Sequence, residues 1–489
     1  DIESMSILKG ASAAALYGSQ AANGVILITT KSGKAGMSRV TFSSNLTVDH
    51  AVSLPEFQNN YGQTADGTSS WGDKGNLTDY DNVGNWFGNG ITAINSLTFQ
   101  TGNDKMQTYF SYANTRGTGI VDSNKLQKHN ITFRETASFF NDRLKLDGNA
   151  SLMTQTIRNT PAGGGYYLNP LVGLYSFPRG ADLAPYAENF EVFDTDRNMN
   201  LQNWYTKNED GSFSEWDQNP YWIKNRVTNK SKRYRALASI SANIKATDWL
   251  SIQARGNVDY VSDKFDNKMY ASTAANIAGK NDETGLPNGR YVWSDEQNFQ
   301  VYGDFMAMFN KTWNDWALNA AVGSSINTTK VNSLSLDSGK SGLYKANVFT
   351  VPNMNLSGAG TSFIDETADQ RRTIQSIFAT AQIGWKESVY LDVTARNDWS
   401  STLANTKSEN SGFFYPSVGL SWILNKTLDL PEWISFGKVR ASWAQVGNDL
   451  PIGITSPAQT ITAGGVVKPI DYYFAEDLKP EISNSIEVG

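Results

Sequence analysis

The chain contains no cysteine. Disulfide scaffolds, Cys-ligated zinc, iron–sulfur clusters and thiol catalysis are therefore excluded. Histidine is nearly absent too: His50 and His129 stand far apart in sequence and leave little material for a His-based metal site or catalytic triad. There is no excess of positive charge, since 42 Lys+Arg face 48 Asp+Glu for a net charge of −6. A nucleic-acid binder needs a basic face to neutralise phosphates, so no nucleic-acid partner is expected. Long apolar runs are also missing, and nothing approaches the roughly 20 residues of a transmembrane helix. That absence does not touch a transmembrane barrel, whose strands show only short segments of alternating polarity. What the 489 residues do hold is 14 Trp, 21 Tyr, 23 Phe and 41 Gly. Low charge with many aromatics and turn formers points to an all-β protein.

Strict alternation of period two recurs from residue 37 onward, the mark of strands with two unlike faces. Leu250, Ile252, Ala254, Gly256, Val258 and Tyr260 alternate with Ser251, Gln253, Arg255, Asn257 and Asp259. Leu144, Leu146, Gly148, Ala150 and Leu152 do the same against Lys145, Asp147, Asn149 and Ser151. Fourteen segments emerge: 37–49, 95–101, 104–115, 127–140, 143–158, 232–246, 249–264, 298–313, 315–329, 372–386, 388–400, 412–424, 433–446 and 480–489. Many are about twice the usual globular strand of roughly 5–6 residues. Aromatics sit near their ends at Tyr260, Trp313, Trp316, Trp385, Tyr390, Trp399 and Trp433. Short links such as Asn141-Asp142, Thr247-Asp248, Asn314-Asp315 and Glu387-Ser388 alternate with longer ones, as in a barrel with short periplasmic turns and long external loops. The fold expected is a transmembrane antiparallel β-barrel, all-β, with a small α/β remnant at the N-terminus.

That remnant is Ile2 to Gly36. Ser12 is placed to cap a short helix over 13–17, with Gly18 ending it, and Asn23-Gly24 signals a tight turn before the β-branched run Val25–Thr29. Lys9-Gly10 lacks the spacing of a phosphate loop. The string from Glu3 through Lys9, Gly10, Ser12, Leu16, Tyr17 and Gly18 to Asn23, Gly24 and Lys31 resembles the end of the plug domain in the SusC/RagA family. These are TonB-dependent outer-membrane transporters of the Bacteroidetes. Further matches follow along the chain. Asn219-Pro220-Tyr221-Trp222 resembles the family's NPYW element, Arg396 to Ser401 its RxDGSS segment, with Trp399 in place of the usual Gly, and Leu478 to Glu481 its LKPE element.

The resemblance implies residues 1–36 as the C-terminal part of a plug and 37–489 as an incomplete barrel, about 14 of a likely 22 strands. An unclosed sheet would leave segments 37–49 and 480–489 unpartnered on one side. It implies active import of oligosaccharide or peptide as the channel subunit of a SusC/SusD-like pair, energised by TonB, whose contact segment would precede Asp1. The implied partners are a SusD/RagB-like surface lipoprotein, TonB, the cargo and outer-membrane lipid. The implied location is the outer membrane of a Gram-negative bacterium, with no catalysis and no cofactor.

Aromatic loop residues are the natural platforms for sugar faces: Trp71, Trp86, Trp204, Tyr205, Trp216, Tyr221 and Trp222. The alternative for each is packing of loop against loop, or against a partner. The acidic pairs Asp79/Asp81 and Asp194/Asp196 do not complete a calcium loop, so no metal site is expected. Two other classes remain: a secreted β-rich glycan-binding protein or glycosidase, and a surface adhesin or structural barrel.

Overall fold

The structure, a computed structural model, describes the chain apart from residues 1, 9–17, 19–23, 66, 68, 76–79, 164–167, 280–284, 358–361, 432, 456–459, 463–465, 469, 471–472 and 474–475. The expected helix at 13–17 thus falls outside the described residues. Around it, β1 (Ile2–Leu8) pairs antiparallel with β2 (Val25–Thr30).

The rest is dominated by one antiparallel sheet of fourteen strands. In chain order they are β3 (Met37–Asp49), β4 (Gly90–Gly102), β5 (Met106–Thr118), β6 (Lys125–Phe139) and β7 (Leu144–Arg158). Next, after a small hairpin of β8 (Glu191–Asp194) and β9 (Met199–Gln202), come β10 (Val227–Lys245), β11 (Leu250–Tyr270), β12 (Gly289–Trp313) and β13 (Trp316–Asp337). Then follow β14 (Phe363–Trp385), β15 (Val389–Ser400), β16 (Phe413–Ile423) and β17 (Lys438–Asn448). The hairpin β18 (Thr460–Thr462) and β19 (Val466–Lys468) leads to β20 (Glu481–Val488). Each sheet strand pairs with its sequence neighbour in a plain meander. Among the described residues, β3 bonds only to β4 and β20 only to β17, so the sheet is open at both margins.

The short links are built for reversal. Between β12 and β13 only Asn314 and Asp315 turn the chain, with Asn314 at φ +47°. Between β14 and β15, Lys386 and Glu387 both take positive φ. At 103–105 the Asn103 side chain accepts from the Lys105 and Met106 amides at 2.9 and 2.8 Å. The expected alternation of link lengths is broken at one place. The link 424–437 is longer than its neighbour 401–412, yet it is cinched: Leu424 N bonds Gly437 O at 2.9 Å.

The two faces of the sheet differ as the period-two reading requires. Arg255, Asn257 and Asp259 face the concave side, where they share a cavity with Gly18 and Val25. Their neighbours Ile252 and Val258 therefore point away, in register with Ile244 and Val301. Ile240, Leu152, Phe305, Val322 and Ile377 are all more than half exposed on that outer face. A soluble protein does not leave such a continuous apolar belt open to water, so a secreted soluble body is excluded. Trp313, Trp316 and Trp385 lie in one hydrogen-bonded row at the tight-turn end, an aromatic girdle of the kind found at a membrane interface. Tyr390, by contrast, has the parity of Arg396 and Asp398 and faces inward.

The compact apolar clusters lie at the opposite end, among the long links. There α1 (Pro170–Ser176), α2 (Ala184–Glu188) and α3 (Pro220–Arg226) pack with the 81–87 stretch around Trp86, Leu174, Phe177, Leu183, Trp204 and Phe213. A further turn of helix, α4 (Ala275–Ala278), covers Leu168 and Met269.

Candidate transport lumen and its loops

The concave face carries a cavity of about 880 Å³. Apolar side chains such as Leu237, Met306 and Phe378 share this face with charged ones, and the charges are internally neutralised. Arg255 meets Asp304 at 2.8 Å, Arg235 meets Asp259 at 2.5 Å and Arg233 meets Asp263 at 2.7 Å. Alternation puts these side chains on one face, and antiparallel register puts each Arg beside an Asp of the next strand. Such pairs keep the lumen hydrophilic without giving it strong net charge.

Deeper burial marks the places where the N-terminal segment touches the wall. Arg396 and Asp398, two residues apart on β15, pair at 2.7 Å with side chains 7% and 1% exposed. Arg396 also donates to Ser376 Oγ at 2.7 Å, and Tyr415 donates its hydroxyl to Asp398. Gly18 sits directly over this cluster: a Cβ there would fall 3.0 Å from Arg396 Nη2 and 3.2 Å from Asp398 Oδ2. Its φ of +83° also favours glycine. Gly24, at φ +97°, has the same backbone preference just before β2.

A second contact lies lower on the wall. Arg134, paired with Asp147 at 2.8 Å, donates to Thr30 O at 2.8 Å and Thr30 Oγ1 at 3.1 Å. Gln100 donates to Ser32 O at 3.0 Å. Gly33 rests on the β4–β5 turn with no room for a side chain. Of the motif residues singled out in sequence, Gly18 and Gly24 are placed by these observations. Lys9, Gly10, Ser12, Leu16, Tyr17 and Asn23 lie outside the described residues.

The loop aromatics divide into two groups. Trp222 has no exposed surface and donates through Nε1 to Thr273 Oγ1 at 3.0 Å. Trp86 and Trp204 are buried, Trp86 edge-on to Tyr221 at 4.9 Å and Trp204 edge-on to Tyr205 at 4.8 Å. Trp71 and Trp216 are exposed, Trp71 beside Tyr61 at 6.2 Å. Burial pushes the Tyr205 hydroxyl up from its ordinary value and does the same to Asp217, against the bond that Asp217 accepts from Trp204 Nε1.

Sequence reasoning missed the residue that organises these loops. Asn219 is fully buried. Its Oδ1 caps α3 through the Tyr221 amide at 2.8 Å, and Pro220 occupies the first helical position. Its Nδ2 donates to Tyr186 O at 3.0 Å and Asn203 O at 2.8 Å, tying three stretches of loop together. The Asn-Pro signature of a capped helix start was present at 219–220, and again at 169–170, where Asn169 caps α1.

For metals, Asp79 lies outside the described residues, while Asp194 Oδ1 accepts the Arg197 amide at 2.8 Å in a tight turn.

An open-margined meander with an apolar outer belt, a more polar inner face and a segment seated against that face defines a wall of a transmembrane barrel. The chain belongs to the TonB dependent receptor-like β-barrel family, whose model matches residues 173–489. Its members are proteins of the outer membrane of Gram-negative bacteria, and that is where this barrel resides. Among curated relatives, TonB-dependent receptor SusC of Bacteroides thetaiotaomicron is 30% identical over 193 residues, 36% of this chain and 18% of SusC. TonB-dependent receptor P26 of Formosa agariphila is 23% identical over 483 residues, 92% of this chain and 43% of that protein. The chain thus spans under half the length of these relatives, each named a receptor and none an enzyme. In fold, the RagAB peptide importer in its closed-closed state superposes with TM-score 0.75 at 19% identity, covering 100% of this chain and 56% of that one.

Proposed function

We propose that this chain forms part of the channel of a TonB-dependent importer that carries oligosaccharide or peptide across the outer membrane. In this reading residues 1–36 are the end of the plug and residues 37–489 belong to the barrel. A SusD/RagB-like lipoprotein covers the long loops, and TonB supplies the energy. The observation that carries the reading is the seating of the N-terminal segment on the inner wall, Gly18 on Arg396 and Asp398, Thr30 on Arg134. A gate must be held by contacts that are specific yet reversible, and the hydrogen bonds from Arg134 to Thr30 and from Gln100 to Ser32 are of that kind. The open lumen beside the segment mixes amides, hydroxyls and paired charges with Leu237, Met306, Ile374 and Phe378, which suits a cargo of little net charge better than a strongly charged one. The exposed Trp71 and Trp216 are the stacking platforms in this reading, and the buried Trp86, Trp204, Tyr205, Tyr221 and Trp222 shape the loops that present them.

Uptake by cells expressing the full-length protein tests it. Labelled oligosaccharide or labelled oligopeptide should accumulate behind the outer membrane, and a protonophore should stop that accumulation. Failure of both cargo classes to enter, with the protein correctly inserted, would remove the proposal. Cysteines introduced at Ser32 and Gln100, in a background freed of any other cysteine, can be cross-linked specifically. The cross-link should block entry, and full uptake through a cross-linked protein would refute the gating role of residues 1–36.

A further inference from the structure

The chain is acidic overall, yet one region of its outer face is strongly basic. On the outer face, the strand register sets Lys125 beside Arg158 and Arg158 beside Lys230. One step nearer the apolar belt, a second row runs from Arg116 through Gln127 and Thr156 to Lys232 and Lys264. Six cations thus cover five adjacent strands, β5 to β11. Asp266 and Asp295, at the far margin, are the carboxylates on these rows. Lys264 pairs with Asp295 at 3.2 Å, whereas Arg116, Lys125, Arg158, Lys230 and Lys232 form no ion pair with a described residue.

The height of this patch is set by the strands beneath it. Alternation puts all six side chains on the same face as Ile131, Leu152, Ala236 and Tyr260, which form one row. With strands tilted near 40°, each residue rises about 2.5 Å along the barrel axis. Ten residues from Leu250 at the turn end to Tyr260 then span about 25 Å, the height of the apolar band of an outer-membrane barrel. Lys264 stands four residues, or about 10 Å, above that limit, while Arg116, ten residues along its strand from Met106, stands at it, and Lys and Arg stems reach back toward the apolar band. Tyr260 stands at that limit and Tyr234, opposite Ser262, just above it, in the position of the outer aromatic girdle.

We propose that this patch is a docking site for phosphate-bearing lipid of the outer leaflet. The lipid's acyl chains lie against the belt of Ile131, Leu152 and Ile240, and its phosphates meet Arg116, Lys125, Arg158, Lys230 and Lys232. Charge complementarity selects an anionic headgroup. The sideways orientation, continuous with the apolar wall rather than with the loops, selects a membrane component over a body sitting above the barrel. The inference rests on the barrel reading but not on the identity of the cargo.

The test uses the full-length protein in neutral-detergent micelles and native mass spectrometry. The probes are a bisphosphorylated acylated disaccharide (lipid A), its phosphate-free form, and inorganic phosphate. The wild type should retain the bisphosphorylated lipid, and the variant R116Q/K125Q/R158Q/K230Q should bind it at least ten-fold more weakly. Lys311→Gln changes a cation on the same outer face at the opposite rim and should bind as the wild type does. Inorganic phosphate should not compete at equal concentration, because the acyl contribution is missing. Equal binding by the quadruple variant, or equal binding of the phosphate-free lipid, overturns the proposal. So does a variant that keeps its lipid but loses self-association, which would make the patch a protein interface. Heat-modifiable gel mobility of every variant reports the barrel itself. Its loss from the wild type would strike the fold reading, not the lipid site.

Discussion

Gly33 lies against the backbone of Thr108, so close that a Cβ on it would fall 2.5 Å from the Thr108 nitrogen. The same Cβ would be 2.6 Å from Thr101 O. Both obstacles are backbone atoms of a sheet, which cannot move aside as a flexible side chain can. Gly33→Val should therefore push residues 30–36 off the β4–β5 turn, at about 1–3 kcal/mol or more. Limited proteolysis should cut the N-terminal segment at least several-fold faster, with the barrel's heat-modifiable mobility unchanged. At Gly18 the neighbour is the Arg396 side chain, so Gly18→Ala should be milder, about 1 kcal/mol from its positive φ.

The assignment of faces predicts opposite responses at Val322 and Ser325. Val322 is exposed on the outer face, six residues above the Trp316 row and so about 15 Å into the apolar band. Val322→Arg should destabilise the inserted barrel by about 2–4 kcal/mol. Ser325 borders the inner cavity, and Ser325→Arg should leave stability nearly unchanged while altering passage of cargo. Folding titrations into lipid vesicles measure the first, and uptake measures the second.

Removal of Asn219 should damage the loops selectively. Asn219→Ala strands the carbonyls of Tyr186 and Asn203 and the Tyr221 amide. Two or three unsatisfied buried groups should cost about 3 kcal/mol or more. Protease cleavage within 159–226 should rise strongly. Asn219→Asp preserves the cap but sets a buried carboxylate oxygen against the Tyr186 and Asn203 carbonyls, so it should be no milder than Asn219→Ala.

Acidification should loosen the β8–β9 hairpin through Glu191. Arg226 bonds Glu191 at 2.7 and 2.6 Å and holds its carboxyl below the usual carboxylate value, against an opposing effect of burial. A carboxyl depressed in the folded state stabilises fully above its unfolded pKa, near 4.3, and that stabilisation fades as pH falls through the lower folded value. Glu191→Gln should thus weaken the hairpin by about 1 kcal/mol at pH 7 and by little near pH 3. Hydrogen exchange of residues 191–202 at the two pH values reads this directly.

Much of the wall was legible in sequence because one solvent change, water inside and lipid outside, imposes period two. Leu250 to Tyr260 declares itself in this way, and segment 37–49 coincides with β3. The upper ends of the long strands were not legible. The expected 298–313 begins nine residues too late for β12, where Arg290, Trp293, Asp295 and Glu296 follow no alternation. Above the membrane both faces of a strand meet water or loop, so the pattern loses its cause. Arg255 and Asp304 could not be paired from sequence, since 49 residues and a long loop separate them. Arg396 and Asp398, two apart on one strand, could have been. The aromatics read as sugar platforms were chosen by residue type. Type alone does not distinguish Trp216, exposed, from Trp222, which sits behind the cap formed by Asn219.

The unequal strand lengths have a further consequence. Trp313, Trp316, Trp385, Val389, Trp422 and Val439 follow one another in register at the turn end, yet β12 has 25 residues and β16 and β17 have 11 each. At about 2.5 Å per residue the brim climbs by about 35 Å from one flank to the other. A visitor from the medium meets a parapet over β10 to β14 and a low sill over β15 to β17, so any cover that seals this mouth must sit aslant.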